Sequence, residues 1–159
     1  MKKELLKGLT MLMLVVVLAL AAAVASANAQ SANRVTATIP FEFSVGYKAM
    51  PAGEYSVQAI NNTNNTLMIR SADAKQAAVR LTNEIGRSKK SDTHARLVFH
   101  RYGERYFLAE VWSGFDDAGR QLFKSQEEKA LENELASISA KGDTAQNTYE
   151  RVEVLAKLR

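Results

Sequence analysis

Between Ala95 and Trp112 the chain is apolar on both phases of a two-residue period. Leu97 and Phe99 lie on one phase and Val98 on the other; Leu108 opposes Phe107, Ala109 and Val111 in the same way. Gly103 interrupts the run at its centre, between Tyr102 and Glu104. Such a segment folds as a β-hairpin with glycine at the first central position of a type II′ turn. An antiparallel hairpin with one wet face alternates apolar with polar residues. This one does not, so both of its faces must be covered, and it belongs at the centre of a sheet.

The turn fixes an expected register in which paired positions sum to 207. Phe99 then faces Leu108, His100 faces Phe107, Val98 faces Ala109 and Leu97 faces Glu110. In that register Glu110 shares the Leu97, Phe99 and Leu108 face, and His100 lies on the other.

The rest of the chain reads as strands and turns. Val35, Ala37, Ile39, Phe41, Phe43 and Val45 alternate with polar residues over eleven positions, a half-buried strand. Pro40, on the polar phase, has no N–H for a ladder and points to an edge or a bulge. Shorter strands are expected at 55–59, 67–70, 77–81 and 121–123. Asn61 to Asn65 and Asp116 to Gly119 read as turns, and residues 83–94 as the longest loop. Ser125-Gln126-Glu127-Glu128 is a capping box. It opens a helix over 125–140 whose stripe is Leu131, Leu135 and Ile138. That stripe is the natural cover for the second face of the hairpin. The tail from Val152 to Leu158 reads as a last strand, with a helix through Tyr149, Val152 and Leu155 as the rival. The fold expected is mainly β: an antiparallel sandwich or small barrel of about seven strands, with one helix before the last strand.

The N-terminus is a different kind of sequence. Lys2, Lys3 and Lys7 precede an uncharged run from Leu9 to Val24, and Ala25-Ser26-Ala27 and Ala27-Asn28-Ala29 follow. This is the pattern of a secretory signal peptide. Its apolar run of about 16 residues is short for a spanning helix, which needs roughly 20; a retained membrane anchor is the alternative. The expected division is a signal peptide over 1–29 and a single antiparallel β domain over 30–159. Export places the domain in the periplasm or outside the cell. Removing 1–29 takes away three Lys and one Glu, so 18 Lys+Arg remain against 16 Asp+Glu. A net charge of +2 gives no reason to expect nucleic acid or another polyanion as partner. The chain has no Cys, which excludes disulfides, thiolate metal sites and thiol nucleophiles.

Two blocks carry a resemblance. Ile39-Pro40-Phe41-Glu42-Phe43-Ser44-Val45-Gly46 with Pro51-Ala52-Gly53-Glu54-Tyr55-Ser56-Val57 is one, and residues 97–103 with 105–112 are the other. Together they resemble a group of small exported proteins common in acidobacteria and their relatives. The resemblance implies an exported all-β architecture and brings no activity, cofactor or site residue with it.

Candidate chemistry is sparse. No nucleophile elbow, phosphate loop or dinucleotide fingerprint occurs. Glu110 and His100 are the foremost site candidates. A carboxylate on an apolar face needs a partner, and an arginine or a backbone amide would serve; an acid/base role in a hydrolase is the sharper alternative. His94 and His100 lack the third ligand a zinc site needs, and Asp116-Asp117 lacks the further oxygens of a calcium loop. No metal or cofactor is expected. Arg87, Lys89, Lys90, Arg96, Arg101 and Arg105 form a basic group beside Tyr102, Tyr106 and Phe107; a solvated rim and an anion-binding surface both fit. The expected function is that of an exported, non-enzymatic β-domain acting by binding or by envelope structure, its partner an unknown protein, an envelope component or an apolar ligand. The rival is a small barrel carrying an apolar ligand, walled by Tyr55, Phe99, Phe107 and Trp112.

Overall fold

The computed structural model describes Met13 and residues 34–60, 65–86, 94–114, 118–139 and 149–159. The chain divides into two compact units, Met1–Ala32 and Asn33–Arg159. In the second, eleven strands and one helix are described, in place of the seven or so strands expected. They are β1 Val35–Ile39, β2 Phe43–Val45, β3 Lys48–Met50, β4 Gly53–Ala59, β5 Thr66–Ser71, β6 Ala77–Gly86, β7 Arg96–Tyr102, β8 Arg105–Trp112, β9 Ala118–Leu122, α1 Gln126–Ser139, β10 Glu150–Leu155 and β11 Lys157–Leu158. No helix among the described residues is long and apolar enough to cross a membrane.

Three physical effects raise the strand count. The long alternating run at 35–45 is cut at Pro40, so β1 stops at Ile39 and β2 restarts at Phe43; proline cannot continue the ladder. A short strand, β3, returns against β2. The tail changes partner at Ala156, whose N–H still bonds the Ala95 carbonyl: before it β10 pairs with β7, and after it β11 pairs with β1. The helical rival for this tail is thus excluded. The polar stretch after Leu81, expected as a loop, instead extends β6 to Gly86, where Thr82–Gly86 pair with β9.

The hydrogen-bonded order is β10-β7-β8-β9-β6-β5-β4-β1-β11. It is an open sheet and not the closed small barrel offered as one expectation. Strand β6 joins its halves, pairing with β5 through Ala77–Leu81 and with β9 through Thr82–Gly86. Inward residues of both halves form one core, including Val35, Ile39, Phe43, Tyr55, Val57, Ile69, Leu97, Phe99, Leu108 and Val111. Phe43 meets Tyr55 and Phe99 edge-on at 5.0 and 5.4 Å between ring centroids, and Phe41 meets Phe99 at 5.2 Å.

The β7–β8 hairpin turns as expected. Tyr102 pairs with Arg105, and Gly103 has φ +61°, the backbone that only glycine adopts without strain. Nothing lies within 4 Å of a Cβ placed there, so a larger residue meets strain alone. Gly103→Val is expected to cost about 1–3 kcal/mol, read as a lowered thermal midpoint. An unchanged midpoint would refute the turn.

The register departs from expectation at one point. Phe99 pairs with Leu108 and His100 with Phe107, but Val98 pairs with Glu110 and Leu97 with Val111. A β-bulge between Val98 and Phe99 leaves Ala109 as the extra residue of β8. One added residue moves every later side chain to the other face. Glu110 therefore leaves the Leu97, Phe99 and Leu108 face and joins His100, which overturns the expectation that the two lie on opposite sides.

Candidate functional site

The hairpin's second face is a separate buried layer. Val98, Tyr102, Phe107, Ala109 and Trp112 are buried there, outside the main core. Between them sit the buried polar side chains Arg96, His100 and Glu110. This face is the candidate site, and two polar clusters organise it.

The first cluster is built from β7 and the start of α1. The Ser125 Oγ accepts the Glu128 N–H at 3.1 Å, capping the helix as expected. The Glu128 side chain does not close the box by reaching back. Its Oε1 lies 2.8 Å from His100 Nδ1 and accepts the Tyr102 hydroxyl at 3.4 Å. An ionised carboxylate can only accept, so His100 donates from Nδ1. A buried carboxylate needs such donors more than a helix end in water does. Tyr149 stacks on His100 at 4.0 Å, and Lys124 lies over the Tyr149 ring while donating to Glu132 at 2.6 Å. The helix thus meets the hairpin through Glu128. Leu131 and Leu135 are only half-buried and Ile138 is 61 % exposed, so the apolar stripe is not the seal that its spacing suggested.

Burial, reinforced by Glu128 and Glu132, pushes the Tyr102 phenol up from its ordinary value near 10. Burial likewise raises Tyr55, whose hydroxyl donates to the Pro51 carbonyl at 2.7 Å. A phenol whose folded pKa is raised stabilises the fold below the unfolded pKa of about 10. That stabilisation is lost as pH rises through the folded value. Of the five tyrosines, Tyr55 and Tyr102 should ionise last in an ultraviolet titration. Tyr102→Phe should remove one late step; loss of an early step instead would contradict the buried placement.

The second cluster joins β8 to β10. The Arg151 guanidinium donates to both Glu110 oxygens, at 2.9 and 3.0 Å, and the Trp112 indole N–H donates to Oε2 at 2.7 Å. The Arg96 guanidinium lies over the Trp112 ring, 5.0 Å from its centroid, and its Nε is 3.5 Å from Glu153. A two-pronged arginine–carboxylate contact is both strong and directional. The face also needs Gly119: a Cβ there would lie 2.8 Å from Trp112 ring atoms.

The six candidate residues are therefore divided. His100, Phe107, Glu110 and Trp112 share the second face, whereas Tyr55 and Phe99 fill the main core. The four aromatics proposed as the wall of a ligand cavity do not share a wall. A shallow cleft of about 290 Å³ does open beside Tyr55, between Pro51–Tyr55 and Ser71–Gln76. Its polar groups are engaged with one another: Asp73 accepts from the Ser71 hydroxyl at 2.6 Å and the Lys75 N–H at 3.1 Å, which holds its carboxyl below the usual range.

The basic group does not form one surface among the described residues. Arg101 reaches Glu150 and Glu104, Arg105 pairs with Glu127, and Arg96 is buried. Arg87, Lys89 and Lys90 lie outside the described residues, as do Asp92, Asp116 and Asp117. Among the described residues no three His, Asp or Glu side chains gather as a metal site. No family model, curated protein or solved structure matches the chain.

Sequence reasoning missed Glu128, Arg151, Tyr102 and Tyr149 as members of this site. Glu128 carried a signal, since a capping-box glutamate beside an uncovered apolar face has a second use. Arg151 carried none, because its partner lies 41 residues away in sequence and comes within reach only through the pairing of β10 with β7.

Proposed function

We propose that the chain is an exported, non-enzymatic β-domain of the periplasm or extracellular space that acts by binding an envelope component. The observation that carries this reading is the state of Glu110. Both of its oxygens are held by Arg151 and Trp112. A general acid or base must instead reach a substrate atom at hydrogen-bond distance. His100 is committed in the same way to Glu128. These contacts favour rigid support of a face over proton transfer on it. The residue blocks at 39–57 and 97–112 and the leader pattern at 1–29 argue for the exported setting.

Two measurements test the reading. Mass spectrometry of the protein recovered from the culture medium or periplasm should find an N-terminus at Asn28 or Gln30, the two positions that follow an Ala-x-Ala site; an intact Met1 in the membrane fraction would replace export with anchoring. Glu110→Gln should lower the thermal midpoint by weakening the Arg151 and Trp112 contacts, with no turnover to lose. Turnover of an ester or glycoside by the wild type that Glu110→Gln abolishes, with the fold retained, would establish the hydrolase instead.

A further inference from the structure

We propose that the outer face of β1, β4, β5 and β6 docks on an anionic lipid bilayer. The inference rests on the reading of an exported domain that binds an envelope component, and it names the chemistry of that component. Strand alternation turns one side of these strands to the core, through Val35, Tyr55, Val57, Leu67 and Ile69, and the other side to water. Apolar residues continue on the wet side. Val79 and Leu81 of β6 are 51 and 64 % exposed, and Ile60 and Phe123 are similarly bare. The register gathers them. Leu81 lies opposite Thr66, and Ile60 meets the same residue, donating its N–H to the Thr66 carbonyl at 3.0 Å. Val79 lies opposite Met68. Thr82 pairs with Leu122, which sets Phe123 beside Leu81. A contiguous apolar patch left exposed marks an interaction surface.

Cations flank the patch on the same face. Arg70 lies opposite Ser56 and Ala77, one row from Met68 and Val79. Lys157 lies opposite Thr36, and beyond it Arg34 and Arg159 exchange backbone hydrogen bonds. Arg34 Nε donates to the Gln58 side chain at 3.1 Å, and Gln58 lies opposite Met68, so this guanidinium borders the patch. All four cations are exposed, and among the described residues none of them is in an ion pair. Glu54, opposite Thr38, is the one carboxylate among the described residues that these pairings place there. The hairpin differs: Arg101, Arg105 and Arg151 are each tied to glutamates. The near-zero total charge thus conceals a local positive excess.

Apolar and unpaired cationic groups on one face select the occupant. A bilayer holds such a surface through both, by burying apolar area and by attracting the cations to anionic headgroups. Arg and Lys lay their stems along apolar surface and carry their charge to its rim, the level of the lipid phosphates. A soluble polyanion would engage the cations and leave Ile60, Val79, Leu81 and Phe123 in water. A second copy stacked on this face would set one positive excess against another, and like charges repel.

The test is co-sedimentation of the purified exported chain with vesicles of equal parts phosphatidylglycerol and phosphatidylcholine, against vesicles of phosphatidylcholine alone. The mixed vesicles should bind and the neutral ones should not. Raising the salt from about 0.1 to about 1 M shortens the screening length from about 10 to about 3 Å and should release the protein. Arg70→Gln with Lys157→Gln should weaken binding about 25-fold, at about fivefold per charge near the surface. Leu81→Asp should weaken it too. All three substitutions fall on exposed side chains, so the variants should melt like wild type; if Leu81→Asp does not fold, Val79→Ser takes its place. Wild type that ignores the mixed vesicles overturns the inference, as does equal binding to neutral ones. Full binding by Leu81→Asp also overturns it, and would mark a site for a soluble polyanion. A chain that starts at Asn28 or Gln30 and binds no vesicle ends this inference and leaves the exported binding domain standing. An intact Met1 ends the export reading alone, because the variants still test the face.

Discussion

His100→Leu is expected to destabilise the domain by about 3 kcal/mol, the upper end of the cost of leaving a buried polar group without its hydrogen-bond partner. The variant fills the space of the imidazole but leaves the Glu128 carboxylate buried, with only the Tyr102 hydroxyl at 3.4 Å as donor. Glu128→Gln is the informative contrast. The amide oxygen still accepts the His100 Nδ1–H, so its cost should stay within about 1.5 kcal/mol, the scale of one hydrogen bond. Urea unfolding of both variants measures the difference, with unchanged m-values confirming that stability alone has moved. Equal losses for the two would mean that Glu128 is not held as a buried carboxylate. Because Glu128 also carries the N-cap hydrogen bond of α1, the His100→Leu protein should lose helical ellipticity before the sheet unfolds.

Phe99→Ala should cost about 3–5 kcal/mol, the range for truncating a fully buried phenylalanine. Its ring is enclosed by Phe41 and Phe43 at 5.2 and 5.4 Å, and the truncation opens a void that packed neighbours cannot close. The result bears on function as well as on stability. In a carrier, Phe99 would border an empty chamber, and its removal would enlarge a space already present at little cost. A loss below about 1 kcal/mol with retained fold would revive the apolar-carrier reading. A loss in the full range fits a core residue.

The placement of Glu110 shows where legibility stopped. Its need for a partner followed from its type and its apolar surroundings, and an arginine was among the partners expected. Its face did not follow, because the pairing rule from the Gly103 turn holds only while the two strands advance residue for residue. Ala109 breaks that advance, and nothing in Leu108-Ala109-Glu110 marks a bulge. The helix shows the opposite balance. Ser125 and the stripe fixed its existence and start, yet Glu128, read as an end cap, turned out to be the docking contact.

By itself the sequence determined the all-β class, the Gly103 hairpin, the capped helix and the strand character of the tail. Each of these depends on local physics: the two-residue period of a pleated strand, the positive φ of one glycine, a hydroxyl that satisfies helix N–H groups. Tertiary structure alone decided the bulge at Ala109, the extension of β6, the switch of the tail from β7 to β1 at Ala156, and the pairing of His100 with Glu128 and Glu110 with Arg151. Those features depend on which strands become neighbours, and that is set by packing and hydrogen-bond satisfaction summed over the whole sheet.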